Sequence, residues 1–505
     1  MNKAVLLVIF GLSGMAALIY EITWIRPLSV VFGTTMYAVS TIIASFILGL
    51  ALGSWLAGKF SDKMKNPLRY FAFFQIGIGA YGVFLLPMFS LLPDWYLAIY
   101  HLTFPNQPIF MAFQVLMAMS LITIPATMMG TTLPLMMRIY SLRFENIGRD
   151  VGKLDASNSI GAVVGTLAAG FLMIPVIGIQ NTIIITAIIN VGMGCAILSV
   201  KRYVHYSYLI LIIVSIVAFF YLYPGYNIDN LSYGVYAYHD EILYSQPTKE
   251  LFKLQKILFY EESMYASVLV AWWPDDNYRL VINGKTQCST IPHVKEGLVN
   301  FASIPFELYE YNYGKPANSL NVGLGCGMTS KWLSERTNTT TVEIDPVVTE
   351  TTKFFVDKID HELVIDDARN WLLRNSKKFD IIATEPFDPY VNNGGMYTLE
   401  YFRLLSEHLN ENGLVSQWVP NFELTQEDFT ILYNTFHEVF PHIYVYRMEN
   451  GDDAQWVMIG SKKPLLVKDN DLFLFDNEEL KIESSVLNTD DKPVLEFAVA
   501  RNIYD

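Results

Sequence analysis

The first 223 residues contain about seven hydrophobic segments of roughly 20 residues each, the length that an α-helix needs to cross a bilayer. Segments of this kind must be helical in lipid, because hydrocarbon offers no partners to backbone N–H and C=O groups. They cover residues 4–20, 36–58, 69–92, 109–140, 156–176, 179–200 and 205–223. We therefore expect residues 1–223 to form a multi-span α-helical transmembrane domain that contacts a lipid bilayer.

The net charge of the chain also changes at residue 223. Residues 1–223 hold 12 Lys and Arg against six Asp and Glu, whereas the remainder holds 23 against 43, a net charge of −20. Charged residues make up 17% of the whole chain, below the roughly 25% of soluble proteins, as expected if part of it lies in lipid. The acidic half is a poor nucleic-acid binder, because contacts to phosphates need clustered Lys and Arg.

The hydrophobic pattern changes after residue 223. Residues 258–288 alternate with period two and are interrupted by Asn283-Gly284, which predicts β-hairpins. Short apolar stretches that alternate with helical stretches follow, as is typical of a parallel sheet. We expect a linker and a small β-hairpin domain over residues 224–312, a Rossmann-like, methyltransferase-type parallel sheet over residues 313–470, and a C-terminal segment over residues 471–505.

A glycine-rich turn ends the first strand of the predicted parallel sheet. Gly323, Gly325 and Gly327 let the backbone come close to a ligand, because glycine lacks a Cβ. Glu343 closes the second strand about 20 residues later, where a carboxylate can bind both ribose hydroxyls. Asp367, at the end of the third strand, is placed to accept a hydrogen bond from an adenine amino group. These strand ends predict an adenine nucleoside, and the turn lacks the Lys-Ser/Thr of a P-loop.

Five motifs follow one another in the soluble half: Asn283-Gly-Lys-Thr-Gln287, Gly323-Leu-Gly-Cys-Gly327, Val342-Glu-Ile-Asp345, Asp366-Asp-Ala368 and Glu385-Pro-Phe-Asp-Pro389. Their succession resembles that of spermidine synthases. Four others are Leu18-Ile-Tyr-Glu-Ile-Thr-Trp24, Gly49-Leu-Ala-Leu-Gly53, Asn158-Ser-Ile-Gly-Ala-Val-Val-Gly165 and Thr489-Asp-Asp-Lys-Pro493. These resemble bacterial proteins that fuse several membrane spans to a spermidine-synthase-like domain. The resemblance implies a polyamine aminopropyltransferase of the inner membrane that uses S-adenosylmethionine or its decarboxylated form as co-substrate.

Glu385 and Asp388 are the candidate catalytic residues, because open α/β sheets bind ligands at the carboxyl ends of their strands. A sulfonium carbon is attacked by a nucleophile opposite the leaving sulfur, and a carboxylate can orient an amine acceptor or take its proton. The alternatives are a solvated strand-end acid for Glu385 and a turn residue for Asp388. Tyr397 can line a lid after the Asn392-Asn-Gly-Gly395 loop, whose glycines permit movement.

Cys326 is a departure from the spermidine synthases, which carry an aspartate in this turn. That aspartate helps to hold the positive aminopropyl arm, whereas a cysteine is neutral near pH 7 unless its pKa is strongly lowered. Aminopropyl transfer to an amine therefore stays open beside methyl transfer, or another reaction of intact S-adenosylmethionine with a nucleophilic acceptor. A transporter with a nucleotide-sensing domain and an inactive nucleotide-binding module are further hypotheses.

The cysteines and two glutamines are the remaining residues that could contribute to a site. Cys195, Cys288 and Cys326 contain no CxxC pair, which excludes a disulfide framework and a four-Cys zinc site. Since His and Cys also show no metal-ligand spacing, we expect no metal. Gln287, in the first of the five motifs, and Gln417 are candidates for polar positioning of the co-substrate, with a structural role as the alternative. A homodimer is left open.

Basic residues cluster in three loops between the hydrophobic segments, and the positive-inside rule places these loops in the cytoplasm. They are Lys59, Lys63, Lys65 and Arg69; Arg138, Arg143, Arg149 and Lys153; and Lys201 and Arg202. An odd number of spans then puts the soluble half outside, although S-adenosylmethionine is made in the cytosol. Segment 109–140, which contains Pro125 and Pro134, is one place where the spans can be miscounted, so the side stays open.

Single-cysteine labelling of intact cells with a membrane-impermeant reagent tests this topology. Cysteines substituted for Lys63 and Lys201 should react only after permeabilisation, because both lie in basic loops. Lys358→Cys reports the side that the soluble half faces. A chain with serine in place of Cys195, Cys288 and Cys326 is the background of all these variants and the unlabelled control. Labelling of Lys63→Cys in intact cells would contradict the assignment of the basic loops.

Overall fold

The computed structural model describes residues 2–33, 36–61, 63–140, 147–200, 255–385, 394–419, 424–448, 455–467, 473–475 and 486–497, with residues 214, 228, 234 and 235. The chain divides into two compact units. One contains residues 1–33 and 37–249, and the other contains residues 34–36 and 250–505. Except for Val214, the predicted segment 205–223 lies outside the described residues.

The first unit is helical. Its helices are α1 (Lys3–Phe32), α2 (Met36–Ser61), α3 (Pro67–Thr103), α4 (Gln107–Gly130), α5 (Thr132–Tyr140), α6 (Ile147–Ala168) and α7 (Ile174–Val200), with a π-helical turn at Ala169–Met173. Among the described residues, five stretches are long and apolar enough to cross a membrane: Lys3–Phe32, Ala38–Ser61, Pro67–Thr103, Pro108–Tyr140 and Ile147–Val200. Five of the predicted hydrophobic segments fall within these stretches, and segment 36–58 overlaps Ala38–Ser61.

The last stretch contains two of the predicted segments because the helix is interrupted at Gly178. This residue has φ 78° and ψ 168°, which is not helical. The interruption lies between segments 156–176 and 179–200, so this stretch comprises two successive helical pieces. The predicted segment 109–140 is also divided, since α4 ends at Gly130 and the nine-residue α5 begins at Thr132.

Small residues bring the helices of this unit into backbone contact. A Cβ at Gly161 of α6 would lie 1.8 Å from the carbonyl oxygen of Gly11 in α1. One at Gly53 of α2 would lie 2.0 Å from the carbonyl oxygen of Thr127 in α4. Apolar helices in lipid associate chiefly by such close packing, because lipid tails are as apolar as their side chains.

The second unit begins with a four-stranded antiparallel sheet. Its strands are β1 (Lys256–Glu262), β2 (Ser267–Trp272), β3 (Tyr278–Ile282) and β4 (Lys285–Ser289), in sequential order. Asn283 and Gly284 both have positive φ, as a tight turn between β3 and β4 requires. Helix α8 (Pro292–Tyr313) follows the sheet.

An eight-stranded mixed sheet forms the rest of the second unit. Its strands are β5 (Asn318–Val322), β6 (Asn338–Glu343), β7 (Glu362–Ile365), β8 (Phe379–Thr384), β9 (Leu409–Val419), β10 (His442–Met448), β11 (Gln455–Ser461) and β12 (Phe473–Phe475). The strand order is β12-β10-β11-β9-β8-β5-β6-β7. Strands β5 to β9 pair in parallel, whereas β11 pairs antiparallel with both β9 and β10. The expectation of a parallel sheet is therefore corrected to a mixed sheet, in which the five neighbouring strands from β9 to the edge strand β7 are parallel.

Helices and two hydrophobic clusters pack against the parallel strands of this sheet. The helices are α9 (Met328–Ser334), α10 (Pro346–Thr351), α11 (Ala368–Arg374), α12 (Leu399–Glu407) and α13 (Gln426–His437), with 3₁₀ turns at Thr352–Phe354, Gly394–Met396 and Val494–Phe497. Neighbouring residues of β8 belong to different clusters, since Ile382 packs with Val415 and Ile381 with Leu414. Because side chains alternate along a strand, both faces of the sheet are covered.

Candidate active site

The glycine turn after β5 has the backbone geometry that its sequence predicted. Gly323, Gly325 and Gly327 have φ of 89°, 52° and 79°, values that residues other than glycine rarely adopt. A Cβ at Gly325 would meet nothing within 4 Å. At Gly327 it would lie 3.3 Å from the side chains of Ile359 and Val356. The space beside Gly325 is thus open to a ligand, whereas Gly327 allows the turn to pack closely against Ile359 and Val356.

Glu343, the last residue of β6, contacts this turn directly. Its Oε2 accepts a hydrogen bond from the backbone N–H of Leu324 at 2.8 Å, and its Oε1 accepts one from that of Asp345 at 2.9 Å. The side chain is buried. Burial raises the pKa of Glu343 above its usual value, while the two backbone N–H groups act in the opposite direction.

Asp367 lies at the same edge of the sheet, where it caps helix α11. Its side chain accepts a hydrogen bond at 2.8 Å from the backbone N–H of Asn370. The preceding residue, Asp366, donates its backbone N–H to the carbonyl of Glu343 at 3.0 Å. A carboxylate has about four acceptor positions, so helix capping leaves Asp367 able to accept a further hydrogen bond.

Glu385 follows β8 beside the glycine turn. The hydroxyl of Thr329, in α9, lies 3.0 Å and 3.2 Å from its two carboxyl oxygens and is placed to donate to either. A Cβ on Gly323 would lie 3.7 Å from the carbonyl oxygen of Glu385. Desolvation by the surrounding protein raises the pKa of Glu385 to about 8, although the hydrogen bond from Thr329 opposes the rise. The carboxyl is therefore mostly protonated at neutral pH.

The other candidate residues are placed less directly. Asp388 lies outside the described residues. Gln417, on β9 opposite Thr384 of β8, is fully buried and donates its Nε2 to the carbonyl of Trp418. Its Oε1 has no hydrogen-bond partner among the described residues. In the described part of the chain, no group of three or more His, Cys, Asp or Glu side chains is arranged to hold a metal ion.

Cys326 is joined to Cys288 by a disulfide, with a Cα–Cα distance of 6.4 Å. The cysteine count therefore does not exclude a single disulfide, and Cys326 is not the free thiol that we expected in the glycine turn. The bond ties the turn to β4, where Gln287 precedes Cys288. Gln287 itself is half-buried and donates its Nε2 to the carbonyl of Lys285 at 3.4 Å. Spacing alone did not signal this bond, because 38 residues separate the two cysteines.

Two hydroxyl groups contribute contacts that the sequence analysis missed. Ser263, between β1 and β2, donates a hydrogen bond to the Oδ2 of Asp345, and both side chains are buried. Thr329 is the partner of Glu385 described above. Thr329 could have been found from sequence, because it lies two residues after the glycine turn and therefore in the first turn of the helix that follows it. Nothing in the sequence marked Ser263.

Tyr397 does not line a lid in the described structure. Its side chain is completely buried and belongs to the hydrophobic core next to the parallel sheet. Its carbonyl accepts a hydrogen bond at 2.9 Å from the side-chain amide of Asn488, which is also fully buried. The backbone just beyond residues 386–393 is thus fixed by the C-terminal segment.

Comparisons with known proteins match this half of the chain. Residues 321–462 match the model of the Spermine/spermidine synthase domain. A polyamine aminopropyltransferase of Leptospira interrogans is 24% identical over 419 residues, which are 79% of this chain and 75% of the relative. Polyamine aminopropyltransferase 2 of Aquifex aeolicus is 23% identical over 497 residues, 94% of this chain and 90% of the relative. This second alignment is long enough to include the helical unit.

Solved structures with similar folds include a spermidine synthase in complex with the transition state analogue AdoDATO. It is 21% identical, has a TM-score of 0.38, and aligns over 49% of this chain and 87% of its own. Another is the spermidine synthase from Thermotoga maritima, with 20% identity and a TM-score of 0.37 over 49% of this chain and 86% of its own.

The match to the domain covers the glycine turn, Glu343, Asp367 and Glu385, the residues that meet at the carboxyl edge of the sheet. The resemblance found in the sequence motifs is confirmed, as is the expectation of an enzyme. Residues 321–462 of this chain are thus similar to the Spermine/spermidine synthase domain, and the relatives that align over most of the chain are polyamine aminopropyltransferases.

Proposed function

We propose that this protein is a membrane-anchored aminopropyltransferase that moves the aminopropyl group of decarboxylated S-adenosylmethionine to an amine. The observation that carries the proposal is Glu385, a carboxyl group of raised pKa beside the glycine turn. Two relatives that align over most of the chain are named polyamine aminopropyltransferases, which supports the same reaction.

The residues around the turn suit an adenine nucleoside. Each carboxyl oxygen of Glu343 accepts one backbone hydrogen bond, which leaves each able to accept another from a ribose hydroxyl. Asp367 can accept a hydrogen bond from the adenine amino group in addition to capping α11. The open space at Gly325 lets the backbone approach the sulfur end of the nucleoside.

In the proposed reaction, an amine nitrogen attacks the aminopropyl carbon that is bonded to the sulfonium sulfur. A C–N bond forms while the C–S bond breaks, and the sulfur leaves with both electrons as a neutral thioether on adenosine. Because a protonated amine has no free electron pair, the acceptor nitrogen must give up one proton, which the ionised carboxylate of Glu385 accepts as the C–N bond forms. The product nitrogen keeps its remaining protons and leaves as an ammonium.

The helical unit supports anchoring in a bilayer, since five of its helical stretches have suitable length and composition. A fixed membrane location would keep the enzyme beside a substrate or partner at the membrane. The bacterial inner membrane is the proposed location.

A reaction of intact S-adenosylmethionine is the second candidate, and Cys326 favours it. Its sulfur is bonded to Cys288, so the turn has no anionic group at this position to attract an aminopropyl ammonium. The same lack of charge removes a repulsion against the carboxylate of the intact nucleotide, which turn N–H groups can bind.

Removing the carboxylate of Glu343 should weaken binding of 5′-methylthioadenosine by the purified full-length protein. Hydrogen bonds to a charged group contribute about 1.5–3 kcal/mol, so the Kd of Glu343→Ala should rise about 10- to 100-fold in calorimetry. Glu362→Ala is the matched control, because Glu362 begins the neighbouring strand β7 and pairs with Lys377. Equal affinities of Glu343→Ala and wild type would contradict the placement of the ribose.

Replacing Glu385 with glutamine should slow turnover about 100-fold or more while changing nucleotide affinity little, because an amide cannot accept the proton. The kcat/KM of the wild type relative to that of Glu385→Gln, which reports the free enzyme, should rise with pH up to about 8 and be constant above it. The rise follows from the raised pKa: below it the carboxyl is protonated and cannot act as a base. A ratio that is flat with pH would exclude Glu385 as the base.

Mass spectrometry of the products distinguishes the two reactions. Wild-type protein, incubated with a diamine and either nucleotide, should form an aminopropylated amine only from the decarboxylated one. Cys326→Asp should shift the binding preference towards the decarboxylated form by about 1–2 kcal/mol, the scale of a charge pair at a partly buried site. Cys326→Ser is the control, because it removes the disulfide without adding charge. A methylated product from the intact nucleotide would instead establish the second candidate.

A further inference from the structure

Arg369, two residues after Asp367, forms an ion pair with Asp490 of the C-terminal segment. Its NH1 donates to Oδ1 of Asp490 at 2.9 Å and its NH2 donates to Oδ2 at 2.6 Å. NH1 also donates to the carbonyl oxygen of Gly395 at 2.8 Å. A bidentate pair of this kind fixes the direction of a guanidinium as well as neutralising its charge.

Asp490 is itself held in place by the backbone around it. Its N–H donates to Oε2 of Glu400 at 2.9 Å, and the adjacent turn is closed by hydrogen bonds between Thr489 and Lys492. Asn488 anchors this turn, because its backbone N–H donates to the hydroxyl of Thr435 and its side chain is fully buried. The carboxylate of Asp490 is therefore presented to Arg369 from a fixed support.

The alternative anion for Arg369 is Asp367, which is the N-cap of helix α11 and lies two residues before Arg369 in the chain. An arginine released from Asp490 would be drawn towards a carboxylate of its own helix turn such as Asp367, because the guanidinium regains charge-assisted hydrogen bonds there. An Asp367 that is paired with Arg369 would have fewer acceptor positions for a ligand.

We propose that Asp490 is a positioning residue that holds Arg369 away from Asp367 and so keeps Asp367 available to the amino group of adenine. The inference rests on the nucleotide site of the proposed function. It gives the Thr489–Pro493 motif a role in selecting the base, although the motif begins 122 residues beyond Asp367 in the chain.

Calorimetry of the full-length protein with 5′-methylthioadenosine and 5′-methylthioinosine tests the proposal. The inosine compound carries an oxygen in place of the 6-amino group, so wild-type protein should bind the adenosine compound about 10- to 100-fold more tightly. Asp490→Asn should lose most of this discrimination, with affinity for the adenosine compound lower by nearly the same factor and affinity for the inosine compound little changed.

The double variant Arg369→Gln/Asp490→Asn separates positioning from mere support. Because it also removes the competing cation, it should recover the discrimination of the wild type, whereas a structural role predicts that it binds as poorly as Asp490→Asn or worse. Glu411→Gln is the matched control, since it removes a comparably short exposed pair, Lys463–Glu411 at 2.7 Å. Its binding and thermal midpoint should match those of the wild type.

Three results would overturn the inference. One is unchanged discrimination in Asp490→Asn, and another is a double variant that fails to recover. Either result leaves the proposed function intact, provided that wild-type protein prefers the adenosine compound. The third is a wild type that binds neither compound, which would overturn the nucleotide site of the proposed function as well.

Discussion

The buried carboxylate of Glu343 ties the glycine turn to the end of the neighbouring strand, and the geometry of the site depends on it. It accepts the backbone N–H of Leu324 in the turn and that of Asp345 after β6. Buried backbone N–H groups need such partners, because leaving one unpaired costs about 1–3 kcal/mol. The acid that is suited to binding ribose thus also holds the turn that would lie against the rest of the nucleoside.

Two further links attach the antiparallel sheet to this edge of the mixed sheet. The hydroxyl of Ser263 donates to Asp345, two residues beyond Glu343, and the disulfide joins Cys288 of β4 to Cys326. Asp345 also accepts the backbone N–H of Val347 and so caps α10. Each link connects residues far apart in sequence, so the turn is supported from both sides before any ligand binds.

Much of this site could be predicted from sequence, because its main elements are local. A short apolar strand that runs into Gly323, Gly325 and Gly327 has a distinctive composition, and an acid at the end of the next strand meets it in any parallel sheet. The cap formed by Asp367 also follows from local sequence, since aspartate is a favoured N-cap residue. The mixed character of the sheet was missed, because period-two strands do not reveal the direction in which they pair.

The contacts that escaped prediction are those between distant segments. The disulfide spans 38 residues, and the pair between Arg369 and Asp490 joins positions 121 residues apart. Neither has a local signature, because each depends on how the elements pack. Tyr397 was assigned to a lid because glycines precede it, yet its ring is large and apolar, and burying it in the core is strongly favourable.

The raised pKa of Glu385 bears on how such a site can use a protonated amine. An alkylammonium has a pKa of about 10, so its pKa exceeds that of an ordinary carboxyl group by about six units and proton transfer between them is unfavourable. With the pKa of Glu385 at about 8, the gap narrows to about two units. An incoming ammonium would stabilise the carboxylate and widen this gap, which favours uptake of the amine with its proton and transfer only as the C–N bond forms. Burial thus disfavours the ionised form of Glu385 in the empty site. The same burial makes its carboxylate a stronger base when the proton of the amine is transferred.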